Sequence, residues 1–265
     1  MALGGVLFDI DGVLVTSWQP IPGAPEALAA LARRRIGCAY LTNTTTRTRR
    51  EIAEALSAAG MPVRPEQVVT AAALTADYVR GAYPGARCLL VNHGDVAEDM
   101  PGVDLTAATT DIPDVILLGG AGPEYDHLTL SRVYEWMAAG VPVVAMHRST
   151  TWKTADGLRI DTGMYLLGME ATSGRTAVSV GKPAPTGFLT AAAGLGLDPD
   201  EIAMVGDDLH NDVLAAQVVG MTGVLVRTGK FGQETLDRWA ADEFAMQPNH
   251  VIDSVADLPG LLAGR

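Results

Sequence analysis

The segment Gly4-Gly5-Val6-Leu7-Phe8-Asp9-Ile10-Asp11-Gly12-Val13 sets two carboxylates two residues apart where an apolar strand should end. Successive strand residues face opposite sides, so Asp9 and Asp11 share a side only if the backbone stays extended through Ile10. Gly12 then permits the turn that a carboxylate cluster needs. An isolated Asp-x-Asp is usually an acidic turn after a buried strand. Three further pieces downstream give it a different meaning.

The first is Tyr40-Leu41-Thr42-Asn43, a short apolar segment ending in a hydroxyl and an amide that can donate hydrogen bonds to an anion. The second is Val178-Ser179-Val180-Gly181-Lys182-Pro183, which delivers one lysine just before a proline-started helix. The third is Ile202-Ala203-Met204-Val205-Gly206-Asp207-Asp208-Leu209-His210-Asn211-Asp212, a buried-strand pattern running into three carboxylates. In an open parallel sheet, ligands collect outside the carboxyl ends of the strands, so four such ends can converge on one crevice. Asp9, Asp11, Asp207 and Asp208 are then expected to lie close together. Two like charges about 4 Å apart repel by roughly 4 kcal/mol at an effective dielectric near 20, so the arrangement calls for a cation. The ligands are hard oxygens without a His or Cys cluster, which favours Mg²⁺ over zinc or a calcium cage.

The elements that must position these residues follow from periodicity. Helices are expected over Pro25 to Arg35, with Leu28 and Leu31 inward, and over Arg47 to Ala59, with Ile52, Ala55, Leu56 and Ala59 on one face. Arg47, Arg49 and Arg50 read as a solvated face of the second. Another α/β unit begins near Thr75, with strands at Cys88 to Val91, Val115 to Leu118 and Val143 to Met146 and a helix from Tyr125 to Ala139. Gly119-Gly120-Ala121-Gly122 reads as a turn, because the rest of a nucleotide fingerprint is missing. The first sheet is expected to resume near Ala177. The fold class is thus α/β: a doubly wound, Rossmann-like parallel-sheet core over 1–75 and 177–265, interrupted by an α/β insertion over 76–176.

A chain of 265 residues suits a core plus an inserted domain. Its 31 acidic and 19 basic residues give a net charge of −12, which argues against nucleic acid as a partner and repels phosphates globally. Attraction for an anionic substrate must then come from the metal, Lys182 and backbone N–H groups. Cys38 and Cys88 are too few for a disulfide scaffold or a zinc site and read as buried small hydrophobes. No run approaches the roughly 20 apolar residues of a membrane helix. The first apolar run is broken at Asp9 and has no basic lead, so a cytoplasmic chain without signal peptide or membrane contact is expected. His93, His127, His210 and His250 are scattered and read as structural.

Together, the four motifs in this order resemble the haloacid dehalogenase (HAD) superfamily of phosphohydrolases, over nearly the whole chain. The long gap between Thr42 and Lys182 is similar to the branch with a large C2-type cap inserted there, which includes NagD-type, 4-nitrophenylphosphatase-like and pyridoxal phosphatase-like proteins. Val226-Arg227-Thr228-Gly229-Lys230-Phe231 further resembles the phospholysine phosphohistidine inorganic pyrophosphate phosphatase subgroup. That subgroup often carries Ser where this chain keeps Asp11, so its substrate is not carried over. The resemblance implies Asp9 as nucleophile, Asp11 as general acid and base, and Mg²⁺ held by Asp9, the backbone carbonyl of Asp11, and Asp207. It implies Thr42, Asn43 and Lys182 as donors to the phosphoryl group, with Asp208 and Asp212 supporting the metal from behind.

Substrate choice would fall to the insertion. His147-Arg148-Ser149-Thr150-Thr151-Trp152-Lys153 combines an aromatic ring with cations, as a leaving-group pocket does, so Arg148 and Trp152 are the expected specificity residues; an ordinary surface loop fits equally well. Asp161-Thr162-Gly163 resembles a family loop near the active site. The expected function is Mg²⁺-dependent removal of phosphate from a small phosphorylated metabolite, with a homodimer left open. A dehalogenase would not need Asp11. A phospho-receiver or binding protein would combine acidic residues, Thr and Lys in far fewer residues and without an insertion.

Overall fold

A computed structural model describes residues 3–106, 110–154, 157–242 and 245–263. The chain divides into two compact units, one formed by Met1–Thr42, Arg50–Val69 and Lys182–Arg265, the other by Asn43–Arg49 and Thr70–Gly181.

The first unit is built on a six-stranded sheet in the order His250–Ile252, Thr222–Val226, Ile202–Gly206, Gly5–Phe8, Gly37–Thr42, Val68–Thr70. Gly5–Phe8 lies centrally and pairs in parallel with both neighbours, Phe8 facing Val205 on one side and Tyr40 on the other. Its residues are all buried, as a strand covered on both faces requires. Phe8 stacks on Tyr40 with ring centroids 5.9 Å apart. The helix Ala24–Arg33 carries Pro25 in its first turn, buries Leu28 and Leu31, and stops two residues before the expected end, where Arg35 turns to positive φ. The helix Arg49–Ala58 buries Ile52 and Leu56 as the periodicity predicts.

The second unit carries a parallel five-stranded sheet in the order Val178–Ser179, Val143–Ala145, Val115–Leu118, Arg87–Val91, Asp104–Thr106. Val178–Ser179 corrects the reading that the first sheet resumes there: it is an edge strand beside Val143–Ala145. Two residues with one exposed valine carry no pattern that assigns them to either sheet. Thr151–Thr154 and Gly157–Ile160 form an antiparallel hairpin where a loop was expected, consistent with the strand preference of threonine and tryptophan. Arg49 also departs from expectation. Its Nε and backbone N–H bond the buried Asp99 carboxylate at 3.1 and 2.8 Å, and the Thr70 hydroxyl adds a third bond at 3.2 Å. Arg50 is exposed, as expected, and pairs with Glu54 one helical turn on.

Arg148 is committed within the same unit. Its guanidinium grips both carboxylate oxygens of Glu170, one at 2.9 Å, while Glu170 also accepts the Ala177 N–H at 2.8 Å. The Arg148 bond, joined by the Ala177 N–H, outweighs burial and holds the Glu170 carboxyl below its usual range. Arg148→Ala should therefore lower unfolding free energy by about 1–2 kcal/mol, the scale of a charge-assisted hydrogen bond lost at a half-buried site. Urea unfolding checks this; an unchanged midpoint would mean the pair contributes nothing.

Candidate active site

Asp9 directly follows the central strand. Its N–H donates to Val205 O at 2.9 Å, which continues the parallel ladder one residue beyond the strand and holds Asp9 at the carboxyl edge of the sheet. There its carboxylate meets Lys182: Nζ lies 2.5 Å from Asp9 Oδ1 and 2.7 Å from Asp212 Oδ1. All three side chains are buried. Burial pushes the Lys182 pKa down, but Asp212 and Asp9 more than offset it, so the net shift is upward and the ammonium stays charged. Asp9, Asp207 and Asp212 each bring one carboxylate oxygen within 4.8 Å of the others.

The strand Ile202–Gly206 supplies two of these acids. Asp207 comes at its end, and Asp212 sits on a π-helical turn, Leu209–Leu214, that runs into the helix Ala215–Val218. Gly206 admits this fold-back: a Cβ there would lie 2.2 Å from that of Asp212. The expectation that Asp208 joins Asp9 and Asp207 is corrected. Asp208 caps the turn, accepting from the N–H groups of His210 and Asn211 at 3.1 and 3.0 Å and from the Asn211 amide at 2.8 Å. Burial pushes its pKa up, yet the Asn211 bonds prevail and hold it below the usual carboxylate range. Adjacent residues of an extended chain face opposite ways, so Asp207 and Asp208 cannot both enter the cluster, and the fourth residue of the next turn takes the place.

Among the other expected residues, Asp11 is exposed, and its carboxylate lies outside the three-acid group. Thr42 is buried at the last position of Gly37–Thr42, the strand paired with Gly5–Phe8. Asn43 belongs to the second unit, where its amide lies against Gly181. Trp152 is exposed on the hairpin, Arg148 is held by Glu170, and the Lys153 side chain lies outside the described residues. Cys38 and Cys88 are free thiols pushed up to about 11, chiefly by burial; Cys88 is buried as expected, whereas Cys38 is only half-buried. His147 and Asp161 are buried partners in the second unit, with Nε2 and Oδ2 3.9 Å apart. Sequence reading gave no structural role to the loop from Thr228 to Lys230: Thr228 Oγ1 donates to Gly12 O at 2.5 Å, and Lys230 N–H to Asp207 Oδ2 at 2.6 Å. Its signals in the sequence are the family resemblance of Val226 to Phe231 and the glycines Gly12 and Gly229.

The family model for haloacid dehalogenase-like hydrolases matches residues 6–106, and a HAD-hydrolase-like model matches residues 179–258. The human haloacid dehalogenase-like hydrolase domain-containing protein 2 is 32% identical over 230 residues, covering 87% of this chain and 86% of its own. The chain belongs to the haloacid dehalogenase-like hydrolase family. The human phospholysine phosphohistidine inorganic pyrophosphate phosphatase is 33% identical over 233 residues, 86% of this chain and 84% of that protein. Among solved structures, the p-nitrophenyl phosphatase of Archaeoglobus fulgidus superposes with a TM-score of 0.88 at 26% identity, covering 98% of this chain and all of its own. The glycerol phosphate phosphatase of Mycobacterium tuberculosis, solved in complex with magnesium, gives 0.83 at 26% identity over 96% of this chain and 76% of that one. This HAD hydrolase is accordingly an enzyme of the phosphatase kind, and among its described residues no helix is long and apolar enough to cross a membrane.

The acid cluster of this HAD hydrolase fits a hard divalent cation. Asp207 is cradled by two glycines in left-handed backbone, where a Cβ on Gly12 or Gly229 would come within 2.0 or 1.9 Å of Oδ2. Its other oxygen, Oδ1, is buried and accepts no hydrogen bond among the described residues. Burial, with the charges of Asp9 and Asp212, pushes its pKa up to about 8. A cation there would take the place of that proton. A carboxyl whose folded pKa lies above its unfolded value stabilises the fold fully only below the unfolded value, and that stability is lost as pH rises through the folded value. In chelator, the melting temperature should fall as pH is raised from about 5 to about 9, Asp207→Asn should flatten the upper part of that fall, and Mg²⁺ should restore the wild type most at high pH. A wild-type profile flat in chelator would mean that Asp207 ionises freely.

Proposed function

We propose that this chain is a Mg²⁺-dependent phosphohydrolase that removes phosphate from a small phosphorylated metabolite through an aspartyl-phosphate on Asp9. The observation that carries the reading is the buried contact of the Asp9 carboxylate with the Lys182 ammonium, beside two further acids, at the carboxyl edge of the sheet. The magnesium complex of the M. tuberculosis relative supports the choice of cation.

Asp9 and Asp207, with Asp212 behind them, would hold the cation, which when bound offsets the charge of carboxylates and phosphate. The Asp9 carboxylate attacks phosphorus as the bond to the leaving oxygen breaks, and Asp11 gives that oxygen its proton. Asp11, now a carboxylate, takes a proton from a water, whose oxygen attacks the same phosphorus and releases inorganic phosphate and free Asp9. Exposure suits Asp11 to this work, since it must meet both the leaving group and water. Thr42, Asn43 and Lys182 donate to the phosphoryl oxygens, where charge spreads during transfer. The part of the chain inserted between Thr42 and Lys182 that forms the second unit serves as cap domain to the first, and Trp152 is its foremost candidate for a leaving-group contact.

Asp9→Asn keeps the shape of the side chain but removes the nucleophilic charge, and should lower kcat by on the order of 10³-fold or more without loss of fold. A variant that keeps a tenth of wild-type turnover on 4-nitrophenyl phosphate would rule out the covalent route. Asp11→Asn should cost poor leaving groups more than 4-nitrophenolate, since only the former need the proton. Equal losses on alkyl and aryl phosphates would remove Asp11 from the acid role.

A further inference from the structure

The chain that leaves Thr42 is fixed by the ends of the second unit's own strands. The Gly120 N–H is shared by Thr45 Oγ1 and Asn92 Oδ1, each at 2.9 Å. The Asn92 amide donates to Thr45 O at 2.9 Å and to the carbonyls of His93 and Gly94 at 3.0 and 2.9 Å. Both side chains are buried. The fit leaves no room on either side: a Cβ on Gly119 would lie 1.9 Å from Asn92 Oδ1, and one on Gly94 2.7 Å from Thr46 Cα. Asn92 follows Arg87–Val91 and Gly119 follows Val115–Leu118, so two neighbouring strand ends grip Thr45 and Thr46. The next strand, Val143–Ala145, leads to Met146, whose carbonyl accepts the Gly181 N–H at 2.9 Å. A Cβ on Gly181 would sit 2.6 Å from Asn43 Oδ1. Asn43 is thus confined between a clamp two residues later and the backbone that leads into Lys182.

We infer that Asn92, acting through Thr45, is a positioning residue for the anion donor Asn43. The inference rests on the reading of Asn43 as a phosphate donor. A buried primary amide that satisfies the backbone of a segment 47 residues away does more than close a local turn. Donors to a phosphoryl group must be set in place before the charge develops, and a displacement near 1 Å can cost about 10²-fold in rate.

The test is a double-mutant cycle on the full chain with Mg²⁺ and 4-nitrophenyl phosphate, with kcat, KM and melting temperature all measured. Asn43→Ala should lower kcat by on the order of 10²-fold. Asn92→Ala should lower it by about tenfold or more, and the double variant should be no slower than Asn43→Ala, because a misplaced donor and an absent one are the same loss. Thr45→Val, the milder variant should Asn92→Ala not fold, should lower kcat in the same sense, while Thr45→Ser restores it. Losses that multiply in the double variant, or a lower melting temperature with kcat untouched, would overturn the inference and leave the donor reading standing. An Asn43→Ala variant with wild-type kcat would sink the donor reading, and the inference with it.

Discussion

One buried ammonium shared between two carboxylates, with a third acid alongside, is the constraint around which the first unit is organised. Lys182 bonds both Asp9 and Asp212, so the two acids keep close company without their full repulsion. The shortfall of positive charge is left on Asp207, whose proton is held up to about pH 8. Removing one partner from such a group leaves a buried charge unmatched, which is far costlier than the net worth of any one pair. The cluster is therefore held from all sides: Gly206 admits Asp212, Gly12 and Gly229 admit Asp207, and Asp208 ties down the turn that carries Asp212.

Much of this was legible in the sequence, and the legible part is where chemistry and backbone geometry coincide. Strand ends with acids, Gly12 as a turn and Lys182 before a proline each carry a local signal, and their order is specific to a family. The misreading of Asp208 has a simple cause: two adjacent acids look equivalent in sequence, and only the turn that follows decides which faces inward. Val178–Ser179 was misplaced because two residues have no periodicity. Arg148 was read as a free cation because Glu170, which neutralises it, lies 22 residues away. Asn92 left no trace, since a buried amide that satisfies distant carbonyls is indistinguishable in sequence from a polar loop residue.

Residues proposed as phosphate donors also mark where the chain passes between its units. Thr42 ends one unit and Asn43 begins the other; Gly181 ends the second and Lys182 re-enters the first. The second unit can change its helices, hairpin and exposed surface without altering the acids, provided these crossings are preserved. Variation in the second unit would then leave the acid cluster of the first unit unchanged.

The separation of Lys182 from Asp9 by 173 residues also bears on how the protein is made. During synthesis the amino-terminal strand emerges first, yet its partner Ile202–Gly206 and the lysine that neutralises its acid emerge only after the entire second unit. That unit is nearly continuous in sequence and can complete its sheet while the first is still half made. Until then the nascent chain carries an apolar strand with one edge open, a template for wrong pairing. Asp9 at its end and Asp11 just beyond it keep charge beside that edge, so the acids can serve as gatekeepers against aggregation while the chain is still incomplete.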